Sequence, residues 1–97
     1  MTNLEISFIF TDIAEMLKLK KDNMFKIRAY QKVARSIVEL QEPLDKLTAE
    51  NRLKEIPGAG EAITKKITEL VTTGKLAFYD KLKAEQAERN LTRTGAK

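Results

Sequence analysis

The densest chemical signal in the chain is Ile56-Pro57-Gly58-Ala59-Gly60, with Lys54 before it and Lys65 and Lys66 after it. Proline fixes φ and stiffens the entry to a turn. Glycine admits positive φ and leaves the backbone bare, so Gly58 and Gly60 are expected to let a bulky anion reach the N–H groups of the turn. A helix starting near Gly60 would aim its unpaired N–H donors and its positive dipole at the same place. The chemistry suited to this pattern is the gripping of a phosphate. An ordinary helix–helix turn has the same Pro-Gly-x-Gly core. The apolar anchors Leu53, Ile56, Ile63 and Ile67 on both sides, and the basic pair that follows, favour the phosphate grip.

Composition narrows the remaining chemistry. The chain has neither Cys nor His, which removes Cys/His zinc sites, thiol chemistry, disulfides and every His-dependent triad. Catalysis here would have to run on Lys, Tyr, carboxylates or hydroxyls. Nucleotidyl transfer needs clustered aspartates holding two Mg²⁺, and Asp12, Asp22, Asp45 and Asp80 are not grouped that way. The balance of 18 basic against 14 acidic residues, net +4 with a pI near 9.4, permits an anionic partner without demanding one. With 97 residues, 42% of them hydrophobic, the chain can build one modest core and no deep cofactor cavity. Its apolar stretches are too short for a membrane span, and Met1-Thr2-Asn3-Leu4-Glu5 lacks the features of a signal peptide. These points lead to the expectation of a cytoplasmic monomer with no membrane partner.

The positioning elements read as helices. Ile6, Ile9, Phe10, Ile13, Met16 and Leu17 recur at three- and four-residue spacing behind Asn3, a residue suited to capping. Asp22 and Asn23 break the chain before a second helix, about Met24 to Leu40, with an expected buried stripe of Ile27, Tyr30, Val33, Ala34, Ile37 and Val38. Pro43 suits the first turn of a short third helix tethered by Leu44 and Leu47. Thr48 is expected to cap a further short helix over Ala49 to Glu55. Ile63, Ile67, Leu70 and Val71 mark the helix after the hairpin, ended by Gly74 as a left-handed cap. Leu76, Phe78, Tyr79 and Leu82 support a last short helix. The expectation is an all-α, compact bundle of four to five short helices over residues 1–85, with residues 86–97 a disordered tail of low apolar content.

The hairpin and its flanks resemble the helix-hairpin-helix motif of DNA repair and replication proteins, which holds the sugar-phosphate backbone rather than the bases. The resemblance widens from there. The run Met24-Phe25-Lys26-Ile27-Arg28-Ala29-Tyr30-Gln31-Lys32-Val33-Ala34-Arg35-Ser36-Ile37 looks like the second helix of the small amino-terminal domain of family X DNA polymerases. Ile56-Pro57-Gly58-Ala59-Gly60 through Thr72-Thr73-Gly74-Lys75-Leu76 resembles that domain's hairpin and following helix. Coverage runs from about Leu4 to Lys83, and the Phe-Lys-Ile-Arg-Ala-Tyr block is typical of the bacterial and archaeal members.

The resemblance implies binding to the 5′-phosphate side of gapped or nicked DNA, without sequence preference. In several family members it also implies removal of an abasic sugar-phosphate by a lyase step. By the same resemblance Lys66 is the Schiff-base lysine, Lys26 a phosphate-binding lysine and Tyr30 a pocket residue. The backbone carbonyls of Lys54, Ile56 and Ala59 would hold a monovalent cation, Na⁺ or K⁺, with no other cofactor required. The residues expected at the DNA surface are therefore Lys26, Tyr30, Lys54, Pro57, Gly58, Ala59, Gly60, Lys65 and Lys75. Ala62 and Phe78 stand where the polymerase-beta branch has further phosphate-contacting lysines, and Phe25 where it has a histidine. A less basic, more apolar pocket is the expected result.

Three functions remain open on the residues: a non-catalytic DNA-binding module, a lyase that also binds DNA, and a helical protein-interaction domain. A lysine of ordinary pKa is neutral only about once in 2,500 molecules at pH 7, so a nucleophilic Lys66 would need partial burial or nearby cations. Tyr30 also suits plain core packing with its hydroxyl at a pocket rim, and Lys26 and Arg28 also suit a solvated face. Polymerase catalysis is not encoded in these residues, and the chain is expected to be either an amino-terminal domain excised from a larger polymerase or a stand-alone relative.

Overall fold

A computed structural model describes the backbone of residues 1–95 and the side chains of residues 1–91. Five α-helices follow one another: α1 (Asn3–Leu19), α2 (Met24–Val38), α3 (Leu44–Ala49), α4 (Glu61–Thr73) and α5 (Ala77–Gly95). A single 3₁₀ turn (Leu53–Glu55) precedes the hairpin. No strand occurs among the described residues. The all-α expectation holds.

The start of α1 differs from its expected form. Thr2, not Asn3, is the cap: its hydroxyl accepts from the Glu5 N–H, and Glu5 Oε1 accepts from the Thr2 N–H at 2.7 Å. This reciprocal pair satisfies two orphan donors at once, which a lone Asn cannot do. Asn3 instead clasps the loop before α3, donating to Glu42 O at 2.9 Å and accepting from the Leu44 N–H at 2.8 Å. The apolar stripe of α1 is buried as its spacing requires, with Ile6, Phe10 and Ile13 fully enclosed.

α2 returns antiparallel to α1 after a four-residue connection, its first turn capped by Asn23. Phe10 stacks on Tyr30 at 5.8 Å, and Ser7 Oγ donates to Ala34 O at 2.8 Å. Ile27, Tyr30, Val33, Ala34 and Ile37 face the core, but Val38 does not; it is 57% exposed. Neighbouring helical residues diverge by about 100°, and Ile37 takes the inward direction. Pro43 is the cap of α3 rather than its first helical residue. Thr48 lies inside α3, so the helix expected over 49–55 shrinks to the 3₁₀ turn. Arg52 ties this region together through Glu42, Glu50 and Glu55 at 2.9, 2.6 and 3.1 Å.

α4 ends as expected at Gly74, in the left-handed region with φ 76°, its N–H donating to Leu70 O. The Ala77 N–H at the start of α5 donates to Glu69 Oε2 at 2.8 Å. Tyr79 fastens α5 to α1, its hydroxyl donating to Asp12 Oδ2 at 2.6 Å, and Leu82 is the last buried residue among the described side chains. The region expected to form a disordered tail is helical as far as Gly95. Low apolar content removed the packing stripe there, not the helix: Ala84-Glu85-Gln86-Ala87-Glu88-Arg89 is built from strong helix formers. Residues 96 and 97 lie outside the described part of the chain.

Candidate nucleic-acid interface

The hairpin begins with exposed Pro57 and turns at Gly58, whose φ of 89° suits only glycine without strain. Gly60 behaves otherwise than its type suggested. Its φ is −79°, extended backbone open to any residue, and it serves as the cap of α4. A Cβ added at Gly60 would meet nothing within 4 Å, so this side of the turn is open to an approaching molecule. Two N–H groups of the turn are internally engaged: Ala59 donates to Ile56 O at 3.0 Å and Gly60 to Gly58 O at 3.2 Å. The first α4 donor with an acceptor is Thr64, bonded to Gly60 O. The Gly58 N–H, and those of Glu61, Ala62 and Ile63, have no acceptor among the described residues. These four, rather than the amides of Ala59 and Gly60, are the donors available to an anion.

The hairpin rests on α2 through contacts that no periodicity announces. Ser36 Oγ donates to Pro57 O at 2.8 Å. A Cβ on Gly58 would lie 3.1 Å from Lys32 Cγ and 3.2 Å from its Cδ, so the lysine stem passes directly against the glycine.

One flank of α4 and the facing part of α2 enclose a cleft of about 350 Å³, lined by Lys26, Tyr30, Ala62, Ile63, Lys66 and Phe78, among others. Its floor is aromatic. Phe10, Tyr30 and Phe78 stack in a column, with Tyr30 and Phe78 6.1 Å apart, and Lys66 Nζ lies 4.7 Å from the centre of the Phe78 ring. Burial holds the Lys66 amine below the ordinary lysine value; Glu69 opposes this, and the positive charge of Lys26 adds to it. Tyr30 is 6% exposed, and burial, with help from Asp22, pushes its hydroxyl up to about 12. Ala62 and Phe78 give this cleft the apolar character expected of it.

The other flank carries a groove of similar size, about 340 Å³, lined by Asn51, Leu53, Lys54, Thr64, Lys65 and Thr68. Lys65 stands on the ridge, 78% exposed and loosely paired with Glu61 at 3.8 Å. The threonines of α4 turn inward chemically: Thr64 donates to Glu61 O, Thr68 to Thr64 O and Thr72 to Thr68 O, each at 2.7–2.9 Å.

The expected site residues thus divide. Lys26, Tyr30 and Lys66 meet in one cleft; Lys54 and Lys65 share the groove; Pro57, Gly58, Ala59 and Gly60 form the turn between them. Lys75 stands apart, beyond Gly74 at the far end of the 13-residue α4, roughly 20 Å of helix from the hairpin. Of the carbonyls expected to hold a cation, Ile56 O accepts from Ala59, while those of Lys54 and Ala59 accept no backbone N–H among the described residues. The aspartates are dispersed on structural tasks, with Asp12 on Tyr79 and Asp22 on Lys26. Sequence reasoning missed Ser36 and the Lys32 stem as the seat of the hairpin.

A 3₁₀ turn and α4, joined by a glycine turn that leaves donors facing outward over an α-helical core, have the form of a helix-hairpin-helix module. Residues 1–76 match the family described as helix-hairpin-helix domain, and the chain belongs to that family. Domains of this kind generally bind DNA without sequence preference. Comparison with curated proteins gives no match. Among the described residues, no helix is long and apolar enough to cross a membrane.

Proposed function

We propose that this protein binds DNA through backbone phosphates, without reading sequence, at gapped or nicked sites bearing a 5′-phosphate, as a module of repair or replication. The observation that carries the proposal is the turn itself. Gly58 at φ 89° and the uncapped first turn of α4 leave four N–H donors without an acceptor among the described residues, between a cleft holding Lys26 and Lys66 and a groove holding Lys54 and Lys65. Donors at a helix N-terminus favour a phosphate oxygen, and the flanking ammonium groups neutralise its neighbours. The similarity to the amino-terminal domain of family X polymerases supports the choice of a 5′-phosphate end. The carbonyls of Lys54, Ile56 and Ala59 would hold a Na⁺ or K⁺ ion there, offsetting phosphate charge.

Titration of a gapped duplex, with and without its 5′-phosphate, tests this. Affinity is expected to fall linearly in log–log form with salt, to be the same across sequences, and to be greater with the phosphate present. Affinity that is flat in salt would reject the proposal. Gly58→Ala adds a Cβ in the left-handed region against Lys32, and is expected to cost about 1–3 kcal/mol of stability and to weaken DNA binding.

A second reading, a lyase acting on abasic sugar-phosphate, is favoured by one specific observation: the lowered pKa of half-buried Lys66 beside Lys26 and Tyr30. In that step the neutral Lys66 amine adds to the aldehyde of the opened sugar and water leaves, forming an imine. Loss of a proton from the neighbouring carbon then expels the phosphate by β-elimination. Borohydride reduction of a mixture with 5′-deoxyribose-phosphate DNA should trap a covalent adduct. Its absence, or its persistence in Lys66→Ala, would exclude the reading.

A further inference from the structure

α2 contains four basic residues, Lys26, Arg28, Lys32 and Arg35, and no acidic one. The whole chain has 18 basic and 14 acidic residues and a net charge of +4. The protein's excess positive charge therefore equals that of one helix, and the remainder balances. Lys26 turns to the Lys66 cleft and pairs with Asp22 at 3.6 Å. Arg28, Lys32 and Arg35 follow at spacings of four and three, the spacing of a single helix face. All three are exposed, and none has an acidic partner among the described residues. Lys18, Lys20, Lys46, Arg52, Lys65 and Lys83 each have one.

This stripe is joined to the hairpin. Ser36, one turn beyond Lys32, donates to Pro57 O at 2.8 Å, and the Lys32 stem would lie 3.1 Å from a Cβ on Gly58. The Lys32 ammonium is therefore carried on a stem that passes the one hairpin residue of positive φ. Arg28 and Arg35 lie within a turn of it on either side, a rise of about 4.5–6 Å, within reach of adjoining phosphates for side chains of this length. We propose that α2 is a phosphate track: Lys32 contacts the backbone phosphate gripped by the hairpin, and Arg28 and Arg35 contact its neighbours on the same strand. The proposal rests on the hairpin's phosphate-binding role and adds the helix that carries the strand onward.

The test is the salt dependence of binding to a 5′-phosphorylated gapped duplex, followed by fluorescence anisotropy. Lys32→Met keeps an aliphatic stem over Gly58 and removes only the charge; Arg28→Gln and Arg35→Gln do the same for their positions. Each substitution should lower the log–log salt slope by about 0.9, and the triple variant by about 2.7, equally for all sequences. Lys21→Gln, outside the stripe, should leave the slope unchanged. Partial unfolding would scale the affinity without altering the slope, so slope separates lost contacts from lost fold. An unchanged slope in the triple variant, with the parent still steeply salt-dependent, would overturn the track and leave the hairpin reading intact. A parent with no salt dependence would overturn both.

Discussion

The two flanks of α4 hold the same kind of side chain in opposite surroundings. Lys65 stands on the ridge, 78% exposed, within 3.8 Å of a carboxylate that is equally exposed. Lys66, the next residue, is half-buried over the face of Phe78, with Tyr30 stacked behind that ring. A rotation of about 100° around one helix separates them. At exposed Lys65 the ammonium remains hydrated and acts as a point charge. At half-buried Lys66 burial disfavours the charge and lowers the pKa, which is what a nucleophilic amine requires. The difference teaches that a Lys-Lys pair is not a doubled signal. Each lysine takes its chemistry from the side of the helix on which it falls.

The largest test of this contrast is covalent. Lys66→Ala is expected to abolish the borohydride-trapped adduct with 5′-deoxyribose-phosphate DNA, whereas Lys65→Ala should retain it. Equal trapping in both variants would break the comparison.

The next effect is one of alkaline stability. The Tyr30 hydroxyl is pushed up to about 12, above the ordinary 10, chiefly by burial. A folded-state pKa above the unfolded one means the neutral phenol's contribution is complete below pH 10 and is lost as pH rises towards 12. The loss is of the order of 2–3 kcal/mol. Lys66 has the opposite sign: its pKa is lowered, so its charge weakens the fold below that value, and the penalty fades as pH approaches the ordinary lysine range. Urea unfolding across this range should show a steep alkaline loss in the parent and a shallower one in Tyr30→Phe. Identical profiles would mean that the cleft floor is wet and that the flanks differ less than their geometry implies.

The smallest effect belongs to the ridge. Removing the Lys65–Glu61 pair by Lys65→Ala should change stability by no more than about 0.5 kcal/mol, as for exposed pairs in general. A larger loss in thermal unfolding would show the ridge to be less solvent-dominated than its exposure indicates.

The sequence was most legible where the physics is periodic or local. The stripe of α1, the inward residues of α2 from Ile27 to Ile37, the Asn23 cap and the left-handed Gly74 all follow from spacing and residue type. It was least legible where a side chain reaches a backbone group far along the chain. Asn3 looked like a cap because its partners at Glu42 and Leu44 are about 40 positions away. Ser36 gave no signal at all, since a hydroxyl on a helix flank has no periodicity. Gly60 was read by residue type alone, but its φ is ordinary and its value lies in open space. The helix past Gln86 was hidden by the habit of equating few apolar residues with no structure, whereas helix propensity and packing are separate properties.

The threonines of α4 have a consequence for how DNA would move. Thr64 and Thr68 line the groove shared by Lys54 and Lys65, yet each commits its proton to a carbonyl of its own helix. Their outward lone pairs offer nothing to an anionic phosphate. Attraction on that flank therefore falls to Lys54 and Lys65, whose rotatable ammonium groups impose little angular preference. A wall that attracts charge without fixing its register lets a duplex translate along it from one phosphate to the next at little cost.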